Sequence, residues 1–358
     1  MRVLFDILGS TALSGGMRLH STELLRAWCE QFPSDEVSVV AGAWAKDDFA
    51  SLPMRVIYWP NESVLGRATG QLLVTPLAGM FGRVDYVVSL SPIVSPLVPS
   101  PRAVCFQHDW RHKKNPDEFP VHQRAYRRLW ERSAAHALVN VCISEKAATE
   151  TQKYVEGSKT VVIENGRDHA RRWPATSSQS ARRHITTFGH HNNKRPELVI
   201  RGLAEAGTGL TDVALVVLGA RGSYAEDLSA LAASLGLRDR VSFPGFVEDS
   251  DYQMFVSTAS AIVLASSDEG FGLPIAEAEF FGIPAVVTSD SGMAEIFGDF
   301  AIVAQPSAER IAEALVKAMN SERSARGAGT QPSSWLQTAG RLRAFLATQA
   351  PADPRGRR

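Results

Sequence analysis

The sequence lacks a surplus of either charge: 38 Lys and Arg face 38 Asp and Glu, for a formal net charge of zero. With no global field to draw a polyanion, nucleic acid is excluded as the expected partner. No uninterrupted apolar run reaches about 20 residues, so no segment is expected to span a bilayer. Cysteine is scarce. Cys29, Cys105 and Cys142 stand far apart in apolar surroundings without zinc spacing, and an odd count in a large chain argues for a reducing compartment. Met1-Arg2 leads directly into an apolar strand, with no long h-region or cleavage site, so the expected location is the cytoplasm. A full G-x-G-x-x-G fingerprint is missing too, which argues against a dinucleotide-dependent oxidoreductase.

What remains is an ordinary globular composition, 44% apolar and 21% charged over 358 residues, long enough for two domains with a core each. Short apolar runs alternate with helical patterns, as a parallel α/β class requires. Strands are expected over 3–8, 37–41, 54–58, 86–90, 103–106, 138–143 and 160–163. A second set is expected over 185–188, 214–218, 240–243, 261–264 and 283–288. Between the sets, 169–184 is rich in Arg, Ser and Pro without periodicity and reads as a linker. The expected organisation is therefore a domain over 1–168, a hinge over 169–184 and a second domain over 185–332. A terminal helix over 333–350 and a disordered tail over 351–358 follow.

The most informative stretch is 260–299. Its strand leaves through Ser266, Ser267 and Asp268 to Glu269-Gly270-Phe271-Gly272-Leu273, and Pro274 begins a helix that stops at Gly282. Open α/β sheets bind ligands at such a strand end. The N–H groups of Gly270 to Leu273, with the helix N-terminus, offer an anion site flanked by the carboxylates of Glu269 and Glu277. Either acid alone fits an ordinary helix start, where the macrodipole contributes about 0.3–1 kcal/mol. The joint pattern does not.

Elsewhere, Gly15-Gly16 opens a helix after the first strand, a turn geometry suited to an anion. His108-Asp109 ends the strand 103–106. Lys194-Arg195 follows the strand 185–188, where a base suits a diphosphate leaving group. Seven bases against three acids over 111–132 leave a local excess of four positive charges; a solvated helix face and an attraction to anionic lipid or a phosphate-bearing acceptor are the two readings. Segment 62–81 is apolar but broken by Gly66, Gly70 and Pro76. Its polar residues are not rich in Lys or Arg, so core helices are expected rather than an element dipping into a membrane interface.

Glu269 and Glu277 with GFGLP between them, and then SDSGMAEIFGD with Gly292, Glu295 and Ile296, resemble the Glu-x7-Glu signature of glycosyltransferase family 4. The resemblance implies the GT-B fold: two Rossmann-like doubly wound α/β domains facing a central cleft. It implies retaining hexosyl transfer from a nucleoside-diphosphate sugar to a saccharide or lipid-linked acceptor, without a cofactor. Under it, Glu269 contacts the donor sugar, Glu277 holds the ribose, and Gly270, Phe271, Gly272 and Leu273 present backbone donors. Gly15 and Gly16 face the diphosphate, and His108 lies at the donor sugar or the reacting oxygens. Lys194 or Arg195 meets the phosphates, in an unresolved register because His190 stands where the family has Arg. The turn at Phe246 takes the nucleobase.

No metal is implied, since no Asp-x-Asp is read as a divalent-ion site of the kind the other major glycosyltransferase fold carries. The motif variant leans towards mannose, from GDP-mannose or a similar donor, and towards surface polysaccharide or glycolipid assembly. Peripheral contact with the inner face of an anionic membrane is an accompanying expectation. The rivals are a glycosidase acid pair, a GT-B sugar-nucleotide epimerase, and a nucleotide-sugar-binding protein without catalysis.

Overall fold

The computed structural model of the protein describes residues 1–12, 14–174, 183–322 and 333–349. The chain divides into two compact units, Met1–Gly166 with Ser333–Arg358, and Arg167–Pro332. Half of the expected linker, 175–182, and the whole expected tail, 351–358, lie outside the described residues. The start of the linker is ordered as a single 3-10 turn, His169–Arg172.

In the first unit seven strands pair in parallel in the order β3-β2-β1-β4-β5-β6-β7. They are β1 Arg2–Asp6, β2 Glu36–Gly42, β3 Arg55–Trp59, β4 Tyr86–Ser89, β5 Ala103–Gln107, β6 Val139–Cys142 and β7 Thr160–Val162. Strands β4, β5 and β6 are buried along their whole length, which explains why they are mostly apolar. Chain order reverses at β1, whose neighbours are β2 and β4, so the strand ends there form a switch point. The three cysteines are buried thiols.

The second unit holds six parallel strands in the order β10-β9-β8-β11-β12-β13. They are β8 His184–Phe188, β9 Ala214–Leu218, β10 Val241–Gly245, β11 Ala261–Leu264, β12 Ala285–Thr288 and β13 Ile302–Ala304. The sequence does not announce β13: at three residues on the sheet edge, with Val303 42% exposed, it carries too little apolar pattern. The switch point here is β8, between β9 and β11.

The terminal helix Trp335–Thr348 packs on the helix Gly15–Gln31 of the first unit. Its start is fixed by a capping box between Ser334 and Gln337. Trp335, Ala339, Leu342 and Leu346 form its buried stripe. Tyr86 Oη donates to the Leu346 carbonyl at 2.9 Å, and Arg343 grips the Asp35 carboxylate at 2.7 and 3.0 Å.

Segment 62–81 departs from expectation. An α-helix Val64–Thr69, a π-helical Gly70–Val74 and an α-helix Thr75–Phe81 run on without a break. Pro76 has no N–H to offer the Leu72 carbonyl one turn back; Ser95 Oγ donates to that carbonyl instead, at 2.8 Å. The side facing the sheet is small or polar. A side chain at Gly70 would strike Leu8, one at Gly79 would strike Val87, and Thr75 Oγ1 donates to Asp6 at 2.6 Å. The large apolar residues point outward: Val64, Leu65, Leu73, Leu77, Met80 and Phe81 are 48–79% exposed. The core reading is therefore corrected, because glycine and hydrogen-bonded polar groups take the inner face and leave no room for those side chains.

Candidate active site

In the second unit, the loops after β8 and β11 meet across the switch point. The 3-10 turn Asn192–Lys194 brings Asn193 Nδ2 to the Asp268 carbonyl at 2.9 Å, while Ser267 N–H donates to the Asn193 carbonyl at 2.8 Å. This lacing holds Lys194 Nζ 2.5 Å from Glu269 Oε1, with side chains only 10% and 13% exposed. A pair so nearly desolvated is held far more firmly than a surface pair, and removal of either member leaves an uncompensated charge.

Arg195, the alternative base, is placed otherwise. Its backbone is left-handed at φ 48°. Its guanidinium donates to the carbonyls of Ala265 (2.6 Å) and Ser266 (2.9 Å), and to both oxygens of Asp290 (2.9 and 2.7 Å). Those donors tie the ends of β11 and β12 together and are not available to a phosphate. Adjacent bases look alike in sequence; only the left-handed turn sends them to different tasks.

Gly272 sits at φ +98°, a conformation that favours glycine, and a side chain there would also strike Met293 Sδ. It precedes the helix Leu273–Phe281, with Pro274 in the first turn. Among the described residues, no protein acceptor takes the N–H groups of Gly270, Phe271, Gly272 or Leu273. Four unsatisfied donors beside a helix start make a ready anion site.

Glu277 lies on that helix and is 1% exposed. Its Oε1 is 2.9 Å from His169 Nε2, and its Oε2 accepts from Tyr252 Oη at 2.6 Å. Burial first, and Glu277 second, push the Tyr252 phenol well above its ordinary range, so it stays a donor. Each oxygen of this carboxylate already has one partner, from two side chains that the sequence did not single out, and keeps a further acceptor site. Nothing in their spacing links His169 or Tyr252 to the motif.

At the ends of β9 and β10, Gly219 N–H donates to the Gly245 carbonyl at 2.7 Å, and both glycines have positive φ. A side chain at Gly219 would overlap His190, so the glycine lets that histidine pack against the turn. Phe246 is 47% exposed, and the Arg221 guanidinium lies over its ring at 4.8 Å. Arg221 was not anticipated; a base next to a strand end carries no signal without its partner. An Asp-x-Asp string does occur, Asp249-Ser250-Asp251, and it opens the helix Asp249–Ser257. Among the described residues no group of three potential metal ligands gathers.

The first unit carries the remaining candidates. Gly15 and Gly16 are the first residues of the helix Gly15–Gln31, and Ser14 before them makes no side-chain cap. His108 follows β5 with Nε2 2.9 Å from the Leu90 carbonyl. A carbonyl only accepts, so Nε2 carries the proton and Nδ1 keeps its lone pair. Burial lowers the pKa of His108, the Leu90 carbonyl opposing. Asp109 accepts from Arg111 N–H at 3.1 Å and so shapes the loop. His20, absent from the sequence-derived set, stands perpendicular to His108 with ring centroids 4.9 Å apart. Its Nδ1 lies 2.8 Å from Asn165 Oδ1.

Residues 185–331 match the family model described as glycosyl transferases group 1. The chain is 30% identical over 103 residues to the O-antigen chain mannosyltransferase RfbU of Salmonella typhimurium, a match covering 29% of either protein. The matched part thus spans less than a third of that relative. Among solved structures, Anabaena HepE in complex with UDP and glucose superposes with a TM-score of 0.72 at 19% identity, over 97% of this chain and 100% of that one. WaaG, a glycosyltransferase involved in lipopolysaccharide biosynthesis, gives 0.65 at 17% identity, over 97% and 95%. At such identities the likeness speaks for the fold, and the fold is GT-B.

Proposed function

We propose that the chain, whose residues 185–331 match the family model of glycosyl transferases group 1, transfers a hexose from a nucleoside-diphosphate sugar to an acceptor hydroxyl with retention of configuration. The observation that carries the proposal is the Lys194–Glu269 pair at 2.5 Å, beside the unsatisfied N–H groups of Gly270 to Leu273. One cation and four amides face the same place, which suits a departing diphosphate. Glu269, paired with Lys194, accepts hydrogen bonds from the sugar hydroxyls.

In the proposed step the acceptor oxygen bonds to the anomeric carbon on the face from which the diphosphate leaves. The carbon–oxygen bond to the β-phosphate breaks, its electrons stay on the phosphate oxygen, and that oxygen takes the acceptor proton. Lys194 and the loop amides stabilise the charge that develops there; no metal is invoked. Gly15, Gly16 and His108 keep the donor roles that the family likeness gives them. Phe246, with Arg221 over its ring, is assigned to the nucleobase. Arg195 is assigned to holding β11 and β12 together. Glu277 anchors the donor-loop helix, and the acceptor sites left on its two oxygens are assigned to the ribose.

Mannose is proposed as the sugar because the relative RfbU is named an O-antigen chain mannosyltransferase; the acceptor is then a saccharide or lipid-linked saccharide of a surface polysaccharide or glycolipid. The neighbour bound to UDP and glucose makes UDP-glucose the second donor to try. Incubation with GDP-mannose, UDP-glucose and dTDP-linked sugars, with and without acceptor, should release nucleoside diphosphate only when acceptor is present. Glu269→Gln should cut turnover by about 100-fold or more, as loss of a transition-state contact does, with nucleoside diphosphate affinity changed only a few-fold. Unaltered turnover in that variant would refute the site, and acceptor-independent interconversion of two sugar nucleotides would favour an epimerase.

A further inference from the structure

Lys194 and Glu269 are each other's partner, although the proposed transfer gives one to the phosphates and the other to the sugar. Nζ lies 2.5 Å from Oε1, with side chains 10% and 13% exposed. Their backbones are pinned on either side. Lys194 N–H donates to the His191 carbonyl at 3.0 Å, and Glu269 N–H to the Ser291 carbonyl at 2.9 Å. With both ends fixed, a ligand that reaches one side chain is close to the other. The pair is net neutral, and the neighbouring Arg195 adds no surplus, because Asp290 takes its guanidinium at 2.9 and 2.7 Å. A phosphate here is drawn by the loop amides and by a cation already shared with a carboxylate.

A phosphate oxygen in charge-assisted contact with Nζ lies within about 5.5 Å of Glu269 Oε1. Like charges at that separation repel, and two side chains so little exposed have little water to screen them. The two nucleotides of the proposed transfer meet that repulsion differently. In a sugar nucleotide the β-phosphate is a diester with one charge, and the sugar hydroxyls donate to Glu269 in return. In the released nucleoside diphosphate the β-phosphate is a monoester. It carries close to two charges at neutral pH, since the second pKa is about 6, and it brings no transferred sugar to bond Glu269. The acceptor proton that its oxygen takes in the transfer step passes to water.

We infer that Glu269 separates substrate from product: it strengthens the hold on the sugar nucleotide and weakens the hold on the nucleoside diphosphate left after transfer. A site made only of amides and a cation would grip that product well, and product release limits many enzymes. This role rests on the proposed transfer, and it goes beyond a hydrogen bond to the sugar in one respect. Removing the carboxylate should tighten a ligand.

Dissociation constants are measured by calorimetry on the full chain for GDP, UDP, their β-methyl esters, GDP-mannose and UDP-glucose. A β-methyl ester removes one charge without adding a hydroxyl, so in wild type it should bind more tightly than the diphosphate itself. Glu269→Gln should tighten the diphosphate by about five-fold, the factor that one unit charge at 4 Å contributes even in water, and should weaken the sugar nucleotide. The advantage of the ester should shrink in the same variant. Glu269→Asp keeps the charge, so its diphosphate affinity should stay closer to wild type than that of Glu269→Gln, and melting temperatures check that both variants are folded. Unchanged or weaker diphosphate binding in Glu269→Gln overturns the inference, and is the result expected if Glu269 serves only to aim Lys194 at the phosphates. Turnover separates the two readings. Lost turnover without tightening leaves the proposed transfer standing and this role refuted; tightening with unaltered turnover does the reverse.

Discussion

At the scale of single residues, the first unit stores two buried titrations of opposite sign. His20 is 1% exposed and its pKa is lowered to about 3 by burial and then by His108, against the Asn165 bond. The unfolded chain titrates this group near 6.5. The stability it contributes is therefore complete above pH 6.5 and is lost as pH falls towards 3, by up to a few kcal/mol on the order of 1.4 per pH unit. Asp6 behaves in the other sense. Burial raises it to about 6, with Thr75 and Leu8 opposing, so its ionisation destabilises the fold and that penalty is relieved as pH drops from about 6 to about 4. His112, lowered to about 4 by burial and then Arg127, adds to the His20 slope. Urea midpoints between pH 7.5 and 4.5 should fall less steeply in His20→Gln than in wild type, and more steeply in Asp6→Asn. Parallel curves for all three proteins would show that these groups do not set the acid limit. The sequence hid both sites. A histidine inside a helix and an aspartate at a strand end look the same whether buried or solvated, and burial is what shifts them.

At the scale of elements, the helix Leu273–Phe281 was legible because its boundaries are written in special residues: Gly272 before it, Pro274 in its first turn, Gly282 at φ +63° after it. What fastens it was not legible, because the fastening comes from a segment that lacks periodicity. Arg167 donates to Glu279 Oε2 at 3.1 Å and to the Ile296 carbonyl at 3.4 Å, and its guanidinium stacks 4.6 Å from Phe297 and 5.7 Å from Phe271. His169 holds Glu277, and Trp173 packs its ring against Phe281 and Tyr252. Residues 167–173 thus strap the helix that carries the proposed diphosphate site, and Arg167 reaches the ring of Phe271 within the donor loop itself. Arg167→Ala removes a charge-assisted hydrogen bond and a cation–π contact, worth about 1–3 kcal/mol together. The donor KM should rise roughly 10-fold, with a smaller change in kcat. Arg167→Lys, which keeps the charge but not the planar fork, should recover only part of the loss. A kcat that falls with KM constant would mean that the strap does not act through donor binding.

At the scale of the whole molecule, alternation of short apolar runs with helical patterns made both parallel sheets readable, since strands buried on both faces stay mostly apolar. Two things resisted. An apolar helix does not say which way it faces, so the pattern of segment 62–81 fits a core helix equally well, and the glycines that look like helix breakers in sequence are what lets it lie against the sheet. Lys194 and Arg195 could not be told apart, because a left-handed backbone at a non-glycine residue is fixed by tertiary contacts. The terminal helix has a further consequence. Trp335, Leu342 and Leu346 are buried at 0–2% exposure against the first unit, and burying side chains of that size contributes about 1.5–3 kcal/mol each. A side chain at Gly166 would overlap the Trp335 backbone, so the last residue of the first segment is shaped around the helix that returns. Three such residues contribute roughly as much as the whole net stability of a domain, about 5–15 kcal/mol. A fragment ending at residue 166 should therefore fail to give a cooperative urea transition. The same fragment joined through a short Gly/Ser linker to residues 333–349 should regain one, with a larger denaturant slope from the restored buried surface. Cooperative unfolding of the 1–166 fragment alone would show that the returning helix is an accessory rather than part of the first core.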